Sequence, residues 1–299
     1  MTVVSGDRGA VYDRGYRPYD GPRGLRGAAT FALFKASIRR ALGIRRSWRQ
    51  KVAPFVLLGV VTIPAVVNVG IGYVTRDRID KLEIITYREY IGVSSALLLF
   101  VALVAPDVMC PDRRQRVLPL MFARPLTGVD YVVAKVGAIG SILFAFSFLP
   151  QVVLFLGNML VSDSASHYFT GHLDVLWRVP LSAFLLALYY AVIGVAIGSL
   201  TDRRIVAGAG VIGLLLVTSI ASDILVGERE RFSRGSIAAL INVLRLPLYL
   251  RDLVFLGHIE RESPLASVNN GGLLAVVTYL VVLLVGLGVL LRRYRWVER

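Results

Sequence analysis

The chain has 299 residues, 56% of them hydrophobic, with a mean hydropathy of +0.65, which excludes an ordinary soluble domain and points to a polytopic membrane protein. Its formal net charge of +14 would suggest nucleic acid in a soluble protein, but here it has to be sorted by membrane side first. The single cysteine, Cys110, excludes an intrachain disulfide framework and a Cys-rich metal site.

The first feature in chain order is polar. Residues 12–23 read YDRGYRPYDGPR, and Gly15, Pro18, Gly21 and Pro22 keep the stretch from becoming helix. Tyr12, Tyr16 and Tyr19 could pack into a crevice while Arg14, Arg17 and Arg23 meet acidic side chains or lipid phosphates. On that reading it is a clamp; the alternative is a solvated tail. Next comes a basic amphipathic helix between Gly24 and Lys51. Phe31, Phe34, Ile38, Ala41 and Leu42 recur at helical spacing, with Lys35, Arg39, Arg40 and Arg46 flanking or opposite. It reads as a surface helix, either a plain membrane anchor or an element that takes up a push from a cytosolic partner. Gly43 is placed to break it before Trp48.

Six runs are long enough to span. They cover about 52–74, 90–109, 132–161, 179–200, 205–225 and 271–291. The first starts too far in, and is too long, for a signal-peptide core. Pro150 lies inside the third and is expected to kink it. The domain division is therefore 1–51, a cytoplasmic segment, and 52–299, a six-span domain. Between spans two and three lies a loop, Pro111 to Lys135. It offers a short basic helix with Val117, Leu118, Leu120 and Met121 on one face, then a turn forced by Arg124-Pro125. Asp130 and Tyr131 open the third span. Asp202, Arg203 and Arg204 form a second short turn. Residues 236–257 are apolar but interrupted by Arg245, Pro247, Arg251 and Asp252, each costly at mid-bilayer. They read as two short helices broken at Pro247, dipping into the outer leaflet or packed on the outer ends of the spans.

Charge sets the orientation. With both termini, the 107–135 loop and the 201–204 turn on one side, that side holds 23 Lys/Arg and 8 Asp/Glu. The other holds 11 and 12. Both termini are expected in the cytoplasm, in a plasma-membrane protein.

All three histidines, His167, His172 and His258, fall in outer segments, and the spans' middles carry no charged residue. That argues against an ion-coupled carrier and an intramembrane hydrolase. No Gly-Lys pair exists, so there is no phosphate loop for ATP hydrolysis. Gly194 and Gly198 give a Gly-x-x-x-Gly suited to close helix packing.

The whole arrangement resembles the permease subunit of ABC-2 type (type V) ABC transporters. The residues carrying the likeness are Leu118, Leu120, Arg124, Pro125, Tyr131 and Lys135, in LPLMFARPLTGVDYVVAK, and the N-terminal GYRPYDGPR. The loop departs from the family pattern in following Asp112 with Arg113, Arg114 and Arg116. The resemblance implies an all-α half-transporter exporting a lipid, lipid-linked or hydrophobic compound. It would pair with a second six-span subunit, identical or homologous, and with cytosolic ATPase subunits. Asp112, Arg113, Arg114, Arg116, Leu118, Leu120, Arg124 and Pro125 would dock the ATPase; Phe31, Phe34, Ile38 and Leu42 would line the interface helix. Tyr12, Tyr16, Arg17, Tyr19 and Arg23 would form the clamp, and Asp202, Arg203 and Arg204 the second cytoplasmic contact. No cofactor is implied in this chain; ATP and magnesium would sit on the partner. Two other readings remain, a lipid-modifying membrane enzyme and a non-transporting scaffold or sensor subunit. For the enzyme, the nearest acidic pairs are Asp107 with Asp112 and Asp130 with Asp202, which show no recognisable catalytic spacing.

Overall fold

A computed structural model describes residues 26–44, 48–75, 86–91, 94–122, 126–230 and 236–298. No strand occurs among the described residues. The helices, in order, are α1 (Arg26–Ala41), α2 (Trp48–Thr75), α3 (Tyr87–Ile91), α4 (Ser94–Arg114), α5 (Leu118–Phe122) and α6 (Gly128–Val161). Then come α7 (Ala165–Gly171), α8 (Val175–Leu200), α9 (Arg204–Glu230), a 3-10 turn (Ile237–Ile241), α10 (Leu246–Leu256) and α11 (Gly271–Glu298).

Five of these helices, α2, α6, α8, α9 and α11, are long and apolar enough to cross a membrane. The chain is thus an all-helical membrane protein. They coincide with the first, third, fourth, fifth and sixth expected spans. The second differs. Tyr90 falls on the separate α3, where its hydroxyl donates to the Val61 carbonyl. The following helix, α4, does not stop at Met109 but runs on to Arg114, so its last turns carry Asp107, Asp112, Arg113 and Arg114.

α8 is the centre of the bundle. Of its most apolar stretch 72% is buried, against 17% for α2 and 22% for α9. Small residues make this possible. A methyl on Gly194 would stand 2.5 Å from Val101 Cγ1 and 2.9 Å from Ala105 Cβ, and one on Gly198 3.3 Å from Met109 Cβ. The Gly-x-x-x-Gly of α8 is therefore filled by α4 of the same chain. α9 also meets α4 closely: a methyl on Gly208 would lie 2.7 Å from the Ala102 carbonyl oxygen. Pro106 has no N–H to give that carbonyl, so the turn there is open to a close neighbour. α11 is joined to α8 by the stacked rings of Tyr189 and Tyr279, 5.2 Å apart, and by a bond from the Tyr279 hydroxyl to the Leu185 carbonyl at 2.9 Å.

Residues 236–268 fold over one end of the bundle. The Tyr190 hydroxyl holds the Leu244 carbonyl at 2.9 Å, and the 3-10 turn packs on α9. The break between the two short helices lies at residues 242–245. Pro247 begins the second helix rather than ending the first, because its missing N–H costs nothing in a first turn. Arg251 and Asp252, which read as lipid-averse, are buried and paired with each other at 2.7 Å. Nearby, Arg88 of α3 meets Glu260 at 2.5 Å.

Candidate functional site

At the opposite end, the helix termini share one charged layer. α6 begins with a capping box: the Asp130 N–H donates to the Thr127 side chain at 3.3 Å, and the Thr127 N–H donates to the Asp130 carboxylate at 2.9 Å. Further along the same helix, Lys135 points inward. Its ammonium lies 2.6 Å from Asp112 Oδ2 and donates to the Val108 carbonyl at 3.1 Å. Arg40 of α1 pairs with the other oxygen of the same carboxylate, and the Tyr131 hydroxyl donates to Asp112 Oδ2 at 3.1 Å. One carboxylate therefore ties α1, α4 and α6 together. The side chain of Asp112 is 0% exposed and that of Lys135 2%.

Around this centre the layer continues. Arg113 bonds the Ser199 carbonyl and lies 3.1 Å from Asp202, while Arg204 pairs with Asp107. The turn between α8 and α9 is thereby fastened to α4. Arg26 reaches Asp130 at 2.7 Å and Thr127 at 2.8 Å, so α1 is held at both ends. The Tyr131 ring packs 4.7 Å from that of Tyr294, bringing in α11.

The residues expected at the ATPase interface divide into two groups. Asp112 is enclosed, and Arg113 and Leu118 are turned into the bundle. They also lie differently in the chain than expected, since residues 112–114 end α4 rather than begin the loop helix. Arg114, Arg116 and Leu120 are exposed. The turn between them depends on Arg116, whose φ of 52° is left-handed. It sets α5 so that Leu118 (7% exposed) anchors it, helped by Phe122 against Tyr131, while Leu120 (72%) projects outward. Arg124 and Pro125 lie outside the described residues, as do Tyr12, Tyr16, Arg17, Tyr19 and Arg23. Of the interface-helix residues, Phe34, Ile38 and Leu42 are half-buried, and Ile38 and Leu42 pack on the helical core. Phe31 is 64% exposed. A methyl on Gly137 would sit 3.5 Å from the Phe34 ring, so α1 lies directly on α6. Of the second turn, Asp202 and Arg204 are paired and Arg203 is exposed.

Sequence reasoning missed the enclosed Asp112–Lys135 pair. The available signal was one acid and one base, each near the inner end of its apolar run, on consecutive long helices. It also missed a cavity at the other end, between α9 and α10. Among the described residues, no group of three or more His, Cys, Asp or Glu side chains is placed to hold a metal ion. No protein-family model matches the chain, and no curated protein matches it.

Proposed function

We propose that this chain is the membrane-spanning subunit of an ATP-driven exporter of the ABC-2 kind, with α4 as the second of six spans. Both termini and the Asp112 layer would face the cytoplasm, as the charge distribution requires. A cytosolic ATPase would bind the exposed surface of the α4–α5 turn, Arg114, Arg116 and Leu120. A second six-span subunit would complete the pathway for a lipid, lipid-linked or hydrophobic compound. The observation carrying this reading is the enclosed carboxylate of Asp112 directly behind that surface. An exposed apolar residue among arginines is a docking surface in need of a rigid base. Asp112 supplies the base and links it to α1 and α6, so a push on the turn is passed to the spans rather than absorbed by a loop.

The test is affinity purification of the full chain from membranes that make it natively. The expected result is an ATP-hydrolysing partner in stoichiometric amount, lost when Leu120 is changed to Glu. Undiminished association with Leu120→Glu and Arg116→Glu combined would overturn the docking assignment.

A further inference from the structure

The end of the bundle opposite Asp112 holds a cavity of about 280 Å³ between α9, the 3-10 turn, α10 and the loop that follows it. Asp223 and Glu262 line it, and so does Arg245. No ion pair within 4.0 Å joins any of these three to a described residue, although acid–base pairs are closed elsewhere among the described residues, from Arg26 with Asp130 to Arg251 with Asp252. The wall behind them is fixed. The Ser222 hydroxyl donates to the Ala238 carbonyl at 3.0 Å, the Asn242 amide donates to Ser219 at 3.1 Å, and Asn242 Oδ1 accepts the Arg245 N–H at 3.0 Å. The frame is therefore built while its three charges stay open.

The helix that supplies Asp223 also supplies an apolar face leading to it. Leu216, Val217, Ile220 and Ile224 are all exposed and lie at spacings that keep them on one side of α9. From Val217 to Ile224 this face covers about 10 Å, within the depth of one leaflet. The cavity is slightly smaller than the usual ligand site, which runs from about 300 to 1,000 Å³. It has room for a headgroup and not for a whole amphiphile.

We propose that this cavity binds the headgroup of a zwitterionic phospholipid, with its acyl chains lying along α9. Arg245 takes the phosphate, as a planar guanidinium does well. Asp223 and Glu262 take the ammonium. The charge pattern of one cation beside two anions suits an ammonium–phosphate head and disfavours a purely anionic one. A site of this kind goes beyond the export role and does not depend on it.

The experiment uses the purified full chain without any ATPase, so its failure leaves the export reading untouched. Native mass spectrometry counts the lipid retained from mixed micelles of phosphatidylethanolamine and phosphatidylglycerol. The wild type is expected to keep phosphatidylethanolamine in about tenfold preference, the effect of one charge-assisted bond. Asp223→Asn with Glu262→Gln removes the preference, and Arg245→Ala lowers retention about tenfold, restored in part by Arg245→Lys. These side chains are exposed, and unchanged melting of each variant confirms that the fold is kept. Equal retention of both lipids, or variants indistinguishable from wild type, would overturn the proposal. So would binding of soluble phosphoethanolamine with no lipid retained. Crosslinks between copies through Val217 and Ile224, with lipid excluded, would assign the α9 face to a second copy and equally defeat it.

Discussion

Replacing Asp112 by leucine removes the one anion enclosed between α1, α4 and α6. Lys135, 2% exposed, then keeps the Val108 carbonyl and the face of the Tyr131 ring but loses its anion. Breaking a buried pair by removing one member costs about 3–5 kcal/mol, because the remaining charge is left without compensation. The Arg40 contribution is smaller, under about 1 kcal/mol, since its side chain is 30% exposed and water screens it. The expected loss is therefore about 3–5 kcal/mol, dominated by Lys135. If that attribution is right, Asp112→Leu combined with Lys135→Met is less damaging than Asp112→Leu alone, because no buried charge remains. The assay is reversible unfolding of the purified chain by SDS in mixed micelles, read as a double-mutant cycle. A loss under about 1 kcal/mol for the single change, or a double variant no better than the single, would refute the reasoning.

Two further outcomes are expected. Leu118→Glu should destabilise the chain and Leu120→Glu should not, by the same unfolding assay, since only Leu118 is packed. Gly208→Leu should cost about 1–3 kcal/mol or more, because the new side chain meets the Ala102 backbone, which cannot move aside as a side chain would; a melting curve like the wild type's would contradict the packing of α9 on α4.

The long helices were legible because roughly twenty consecutive apolar residues match the hydrocarbon thickness of a bilayer and would overfill a soluble core. Two short helices in 236–257 were also legible, from Pro247 and the charges around it. The position of the break was not, because a proline starts a helix as readily as it ends one. The far end of α4 was not legible, because the expected span ended with its apolar run near residue 109 while the helix continues into charged residues as far as Arg114. Pro106 and Pro111 both lie inside that helix, and near Pro106 the open turn receives α9 at Gly208. Asp112 was misplaced for a related reason. A charge just beyond an apolar run looks solvated until its partners, Arg40 before it in the chain and Lys135 after it, are brought beside it. The interface helix showed its apolar stripe, but the stripe alone did not distinguish a lipid surface from α6, against which Phe34 lies. The cavity around Arg245 gave no sequence signal, since Asp223, Arg245 and Glu262 fall on three separate elements.

Site-specific photocrosslinking from position 120 tests the docking claim most directly. A photoreactive residue replacing Leu120, in the full chain within its native membrane, is expected to trap an ATP-hydrolysing subunit. The same probe at Ile224, on the far end of α9, is expected to trap none. Trapping of the ATPase from Ile224 but not from position 120, or no ATP-hydrolysing partner at either, would contradict the account.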